Sequence, residues 1–251
     1  MTTDADILLL NINNTNTSFA LATPDRIVCV IKQPTASVRG IPFNQRRIRQ
    51  IVLASVVPAA TRRIRAQLPV KPFVVSGTAD LGIGVRYPHK RQIGADRLAN
   101  AVAAVRLYGA PAIVVDFGTA VTFDIINARA EYVGGVIAPG LSAVTDYLYQ
   151  RTALLPRIKL IEPRSAIGRS TVAAMRVGAI VGYRGLVKEI LAALQREPGM
   201  NNAIIVATGG YAPLIAGKIP SIQQVNPLLT LEGLRFIYLR NSNRRSETGG
   251  R

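Results

Sequence analysis

"AIVVDFGTAVTFDII", residues 112 to 126, is an apolar run that stops at Asp-Phe-Gly-Thr and then resumes as a second apolar run. β-Branched and aromatic residues on both sides of a short polar turn read as two strands joined by a tight connection. The same outline stands 105 residues earlier in "ILLLNINNTNTSFAL", residues 7 to 21, with Asn11 and Asn13 where the later copy has Asp116 and Gly118. Each copy is followed by further strands and helices, so the chain reads as a duplicated α/β protein. Both turns set short side chains and backbone N–H groups at the end of a strand, a concavity suited to phosphate oxygens, and threonine hydroxyls add donors.

Outward from these hairpins, strand-like runs fall at 27 to 31, 51 to 57, 72 to 75, 132 to 138 and 203 to 207. Helical spacing is clearest in "AATRRIRAQL", "ADRLANAVAAVRLYG", "SAVTDYLYQRTALL", "STVAAMRVGAIVGYRGLVKEILAALQRE", "YAPLIAGKI" and "TLEGLRFIYLRN". The Gly109–Pro111 break divides the chain into halves at 1–109 and 110–241, and the polar, Gly-rich 242–251 is expected to fray.

An apolar fraction of 49% with 18% charged residues excludes a disordered chain. The one cysteine, Cys29, cannot close an internal disulfide, "MTTDADILLL" lacks the basic start of a signal peptide, and no apolar run approaches about 18 residues. A cytoplasmic protein is expected. The net charge of +17 favours anionic ligands, but the basic residues are dispersed, the densest groups being "QRRIRQ" at 45 to 50 and "TRRIR" at 61 to 65. With no tryptophan and few aromatics to stack on bases, a dedicated nucleic-acid reader is not expected.

The chemistry concentrates in two places. Asp116 ends its apolar run, Gly118 lets the backbone turn or approach a phosphate, and Thr119 and Thr122 offer hydroxyls. A carboxylate beside phosphate makes sense with Mg²⁺ between them, although an ordinary hairpin also places Asp and Gly in its turn. "ATGGYAPLIA", residues 207 to 216, follows a strand with Gly209-Gly210 and a helix, where a phosphate or flat ring can meet bare backbone. Asp96 opens a helix in "GADR", a natural site for a carboxylate on dipole grounds alone and one where a low carboxyl pKa is expected.

Taken in order, "NINNTNT", "ASVVP", "GADRLANAVAA", "VVDFGTAVTFD", "GGVIAPGL", "TALLP", "IGRSTVAAMRVG", "ATGGYAPLIA" and "NPLLTLEGLRFIYLRN" resemble the bacterial type III pantothenate kinases over residues 7 to 241. The resemblance implies an α/β fold of two ribonuclease-H-like, actin-like ATPase halves with a nucleotide cleft between them, and a homodimer. It implies transfer of the ATP γ-phosphate to the primary hydroxyl of pantothenate, with Mg²⁺ and a monovalent cation, potassium or ammonium, as cofactors. Asp96 then matches the catalytic base. Asn11, Asn13, Asn14, Thr15, Asp116, Gly118, Thr119, Thr122, Gly209 and Gly210 match the ATP-binding positions. Tyr87, Gly94, Arg97 and Thr171 match the pantothenate pocket, with Thr171 on the shared dimer surface. Asp124 matches the monovalent-cation ligand and Asp116 a magnesium ligand. His89 matches no catalytic position.

Four residues depart from that family's pattern. Asn11 and Asn13 replace Asp and Gly of the first phosphate loop, Val121 replaces a Thr, and Asn226 replaces an Asp. Asn13 is expected to be tolerated because Asn accepts left-handed backbone, whereas Asn11 removes a negative charge from the magnesium site. A catalytically impaired relative that binds nucleotide as an accessory factor is the alternative these changes raise. A sugar or acetate kinase is disfavoured by "GADRLANA" and "TLEGLR".

Overall fold

A computed structural model describes residues 5–248, which form two compact units, residues 5–107 with 228–248 and residues 108–227. The first unit is built on β1 (Ile7–Ile12), β2 (Asn16–Ala22), β3 (Ile27–Pro34), β4 (Gln50–Ser55) and β5 (Phe73–Val74), in the sheet order β3-β2-β1-β4-β5. β1, β2 and β3 form an antiparallel meander, while β4 and β5 run parallel to β1. β1 is buried along its whole length, which explains its unbroken apolar run. Leu8, Leu10, Phe19, Ile51 and Leu53 pack with Ile64 from helix α1 (Pro58–Arg65), which starts on a proline whose missing N–H costs nothing at that position. A short strand β6 (Gly84–Val85) precedes α2 (Ala95–Tyr108), and α2 stops at Gly109, whose φ of +94° a side chain would resist.

The second unit repeats the plan. Its strands β7 (Ala112–Phe117), β8 (Ala120–Ile126), β9 (Glu131–Pro139), β10 (Ile204–Thr208) and β11 (Gln224–Val225) run in the order β11-β10-β7-β8-β9, again with an antiparallel meander and two parallel neighbours. The repeat holds at the level of register. Asn11 pairs with Ser18 on β2 and Ala54 on β4, and Asp116 pairs with Thr122 on β8 and Thr208 on β10. Each is the fifth residue of its central strand.

Helices α3 (Leu141–Arg151), α4 (Thr171–Val177), α5 (Tyr183–Arg196) and α6 (Ala212–Ile215) complete this unit. One expected helix is shorter than its periodicity, and another carries a local irregularity. α3 ends at Arg151 because Thr152 turns extended, whereas the expected continuous helix from 170 to 197 runs from Thr171 to Arg196 and contains a π-helical turn at Gly178–Gly182, bounded by two glycines that weaken the ladder.

The last helix, α7 (Leu229–Thr248), corrects the expected division of the chain. Residues 228–241, read with the second half from their order in sequence, belong to the first unit, where α7 packs on β1 and β4. Gly233 allows this: a Cβ there would stand 1.9 Å from the Ala99 carbonyl oxygen of α2. Thr230 Oγ1 donates to Asn100 Oδ1 at 2.7 Å beside that crossing. The stretch expected to fray begins inside α7, and residues 249–251 lie outside the described residues.

Candidate active site

In the second unit the β7–β8 turn is held from two sides. Asp116 lies between Thr122 and Thr208 across the sheet, and the Gly118 N–H donates to the Ala120 carbonyl at 3.1 Å. Gly209, directly after β10, has a φ of +92°, and a Cβ on it would stand 2.5 Å from Asp116 Oδ1 and 2.6 Å from the Phe117 backbone. The Tyr211 N–H donates to the Phe117 carbonyl at 3.2 Å, tying the loop after β10 to the end of β7. From below, a Cβ on Gly140 would fall 2.1 Å from the Thr119 carbonyl oxygen. Asp116, Gly118, Thr119 and Gly209 are thus brought together as the sequence suggested, while Gly140 and Thr208 were missed because nothing local marks them.

Gly118 and Gly210 are different from Gly209. Neither takes a positive φ, a Cβ on Gly118 would make only ordinary contacts, and one on Gly210 would meet nothing within 4 Å. The fold itself does not require glycine at these two positions; bare backbone there keeps room for something else.

In the first unit, Asn11 is 6% exposed, and its Oδ1 and that of Asn13 are buried with no hydrogen-bond partner among the described residues. The turn is braced by Thr35, which sequence reading missed. Its hydroxyl donates to the Asn13 carbonyl at 2.6 Å and lies 3.0 Å from Thr17 Oγ1, and its N–H donates to the Thr15 carbonyl at 2.9 Å. Asn14 and Thr15 are exposed at the tip. The left-handed backbone invoked for Asn13 does not occur: Ala130 is the one non-glycine residue with positive φ among those described. Asn replaces Gly here without backbone strain, so the difference is the space and the amide it adds.

Asp96 stands at the start of α2, half-buried, with Oδ1 accepting from the Arg97 N–H at 2.9 Å. A Cβ on Gly94 would lie 2.5 Å from that oxygen, so Gly94 makes room for the carboxylate. Burial holds the Asp96 carboxyl above its ordinary value, outweighing the hydrogen bonds from the Arg97 and Asp96 N–H groups and the nearby Arg97 guanidinium. The low value expected from the helix dipole alone is therefore reversed. Tyr87 and Arg97 are half-buried in the same unit, and His89 is exposed. Thr171, in the second unit, is exposed as the first residue of α4, whose Ser170 cap accepts the Ala173 N–H at 3.2 Å.

Asp124 is fully buried and accepts a hydrogen bond from the Tyr132 hydroxyl at 2.9 Å, a partner not foreseen from sequence. Two of the four departures have structural explanations. Val121 is fully buried in the apolar cluster with Phe117, Phe123 and Leu141. Asn226 donates from Nδ2 to the Tyr108 hydroxyl at 3.1 Å and from its N–H to the Ala207 carbonyl at 2.8 Å, which fixes the chain beyond β10. Among the described residues no three His, Cys, Asp or Glu side chains gather as a metal cluster, and no helix is long and apolar enough to cross a membrane.

Comparison with known proteins adds three findings. The family model for type III pantothenate kinase matches residues 7–193. A type III pantothenate kinase of Akkermansia muciniphila is 50% identical over 235 residues, covering 91% of this chain and 96% of its own. Two solved structures share the fold at low identity. A Campylobacter jejuni protein provisionally assigned as a Baf family transcriptional activator is 20% identical, with TM-score 0.63 and coverage of 94% of this chain and 99% of its own. The actin-like protein MreB 5 of Spiroplasma citri, solved with AMPPNP, is 10% identical, with TM-score 0.52 and coverage of 97% and 98%.

Proposed function

The chain belongs to the type III pantothenate kinase family, and from that premise we propose that it transfers the γ-phosphate of ATP to the primary hydroxyl of pantothenate, giving 4'-phosphopantothenate, the first step of coenzyme A synthesis. The observation that carries the mechanism is the half-buried Asp96 carboxylate at the start of α2, bonded to the Arg97 N–H and given room by Gly94, with burial raising its carboxyl. A carboxylate made more basic by burial accepts a hydroxyl proton more readily as the bond to phosphorus forms. Gly94 leaves that carboxylate space, and Arg97 and Tyr87 offer a cation and a hydroxyl for the polar groups of pantothenate.

Phosphate oxygens of ATP are assigned to strand-end turns of this kind, the one of Asp116, Gly118, Thr119 and Thr122 and its counterpart of Asn11, Asn13, Asn14 and Thr15. Gly209 and Gly210 offer bare backbone to the nucleotide. Magnesium fits a site of this kind, since it is commonly held by one or two carboxylates with phosphate and water completing the shell. Asp116 would supply the carboxylate, and the ion would neutralise charge developing on the phosphates. Asp124, a buried carboxylate that already accepts from Tyr132, would hold potassium or ammonium.

A homodimer belongs to the same reading. Tyr147, Leu154, Ile167, Val181 and Leu186 expose apolar side chains on one unit, Leu154 at 90%, and Gly178, Gly182 and Gly185 would let another helix approach closely. Thr171 begins α4 in this region and would join the pantothenate pocket there. The reducing cytoplasm suits the free, exposed Cys29.

The test is phosphorylation of pantothenate by the purified protein with ATP, Mg²⁺ and potassium or ammonium, beside Asp96→Asn. Turnover lost in Asp96→Asn is the expected result. No product with any combination of these cations would overturn the reading.

A further inference from the structure

Ten basic residues lie between Arg26 and Lys71, and residues 26 to 79 contain no Asp or Glu at all. In sequence these side chains look dispersed. In the first unit they share one floor, because Val38, Ile48 and Ile64 are buried in the same apolar cluster. Ile48 and Ile64 each sit between two arginines, in Arg47-Ile48-Arg49 and Arg63-Ile64-Arg65. Each isoleucine is driven into the core, at 3% and 1% exposure, so its flanking arginines are left outside on adjacent segments. Arg39, Arg46 and Arg62 are exposed on the same segments, and Arg63 Nη2 donates to the Thr35 carbonyl at 3.0 Å, linking α1 to the turn after β3.

None of these seven arginines forms an ion pair among the described residues. Asp6, whose carbonyl accepts the Arg49 N–H at 2.9 Å, is the acidic residue beside them, and seven guanidinium groups without an ion pair repel one another, a repulsion that an external polyanion would relieve. Arginine, with its planar fork of donors, matches phosphate oxygens two at a time. The face has little apolar surface to insert into lipid: the exposed large hydrophobics between residues 26 and 71 are Val56 and Val70, with no exposed aromatic. The same absence removes the platform on which single-stranded bases stack.

We propose that this arginine face of the first unit binds the sugar-phosphate backbone of duplex nucleic acid without reading its sequence. DNA and RNA duplexes share the recognised chemistry. The proposal is independent of the kinase reading, because none of these arginines is assigned to the reaction.

The experiment measures fluorescence anisotropy of short labelled DNA and RNA duplexes of mixed sequence over about 50 to 200 mM KCl, a range in which phosphate contacts reveal themselves by salt dependence. The face variant carries Arg47→Gln, Arg49→Gln, Arg62→Gln and Arg65→Gln. A control with Arg129→Gln, Lys188→Gln, Arg196→Gln and Lys218→Gln removes the same charge from the second unit. The expected result is salt-sensitive binding of at least one duplex, weakened about tenfold or more in the face variant with a log–log salt slope shallower by up to about 3 to 4, and little changed in the control. Pantothenate phosphorylation should be unaltered in the face variant, which also shows that it is folded. Binding of either duplex alone supports the proposal and names the source. Absence of duplex binding at the lowest salt, equal weakening in both variants, or tighter binding to phosphatidylserine vesicles than to either duplex would overturn it.

Discussion

Replacing Gly209 by alanine tests whether the loop after β10 sets the position of Asp116. The new Cβ would stand 2.5 Å from Asp116 Oδ1 and 2.6 Å from the Phe117 N and C atoms, on a residue whose φ is +92°. Two penalties add. A side chain in left-handed backbone costs about 1–2 kcal/mol, and overpacking against backbone that cannot rotate away costs about 1–3 kcal/mol. The sum, about 2–5 kcal/mol, corresponds to a fall in Tm of roughly 5–15 °C for a chain of this size. Because the displaced atoms belong to Asp116 and Phe117, kcat should also fall, by about 100-fold if the carboxylate moves by about 1 Å. Gly210→Ala is the matched control, since its Cβ meets nothing within 4 Å. Its stability should change by no more than about 0.5 kcal/mol, with a raised KM for ATP if nucleotide lies on that backbone. Thermal denaturation and steady-state kinetics of both variants read these quantities. A Gly209→Ala protein with unchanged Tm and kcat would refute the argument that Gly209 is required by contact with Asp116.

Three further outcomes are expected. Because burial raises the Asp96 carboxyl, its ionised form costs the folded state stability at pH above the folded value, and that cost disappears below the unfolded value near 3.8. Asp96→Asn should therefore be inactive yet at least as stable as the parent in urea at neutral pH, with any advantage shrinking as pH falls; marked destabilisation at neutral pH would contradict the direction of the shift. Asn11→Asp puts a carboxylate at a position only 6% exposed, so its Tm should drop without ligand and rise more than the parent's when Mg²⁺ and a non-hydrolysable ATP analogue are added. Equal ligand-induced shifts in the two proteins would remove Asn11 from the magnesium site. Gly233→Ala, with its Cβ 1.9 Å from the Ala99 carbonyl oxygen, should lose about 1–3 kcal/mol in denaturant titration, and a smaller loss would mean that α7 slides on α2 at little cost.

Much of the fold could be read along the chain because its signals are local. Unbroken apolar runs such as "ILLL" and "AIVV" became the buried central strands β1 and β7, and the 105-residue echo between them became a repeat with matched register. Gly118, Thr119 and Gly209, assembled around Asp116, were also singled out by their turns, whereas Gly140 and Thr208 carried no local mark. What failed were inferences about backbone angle and charge. Asn13 proved to need no left-handed conformation, and Asp96 proved to be raised, because both properties depend on what surrounds the residue and not on its neighbours in sequence.

By itself, then, the sequence determined the strands, most of the helices, the duplication and the identities of the side chains that carry chemistry, all consequences of short-range periodicity and turn preference. Tertiary structure alone decided that α7 returns to the first unit, that Gly209 abuts Asp116, that Tyr132 holds Asp124, and that separated arginines share one face. Each of these joins or groups residues through the fold, and packing at close contact, with the desolvation it imposes, exists only once the chain has closed on itself.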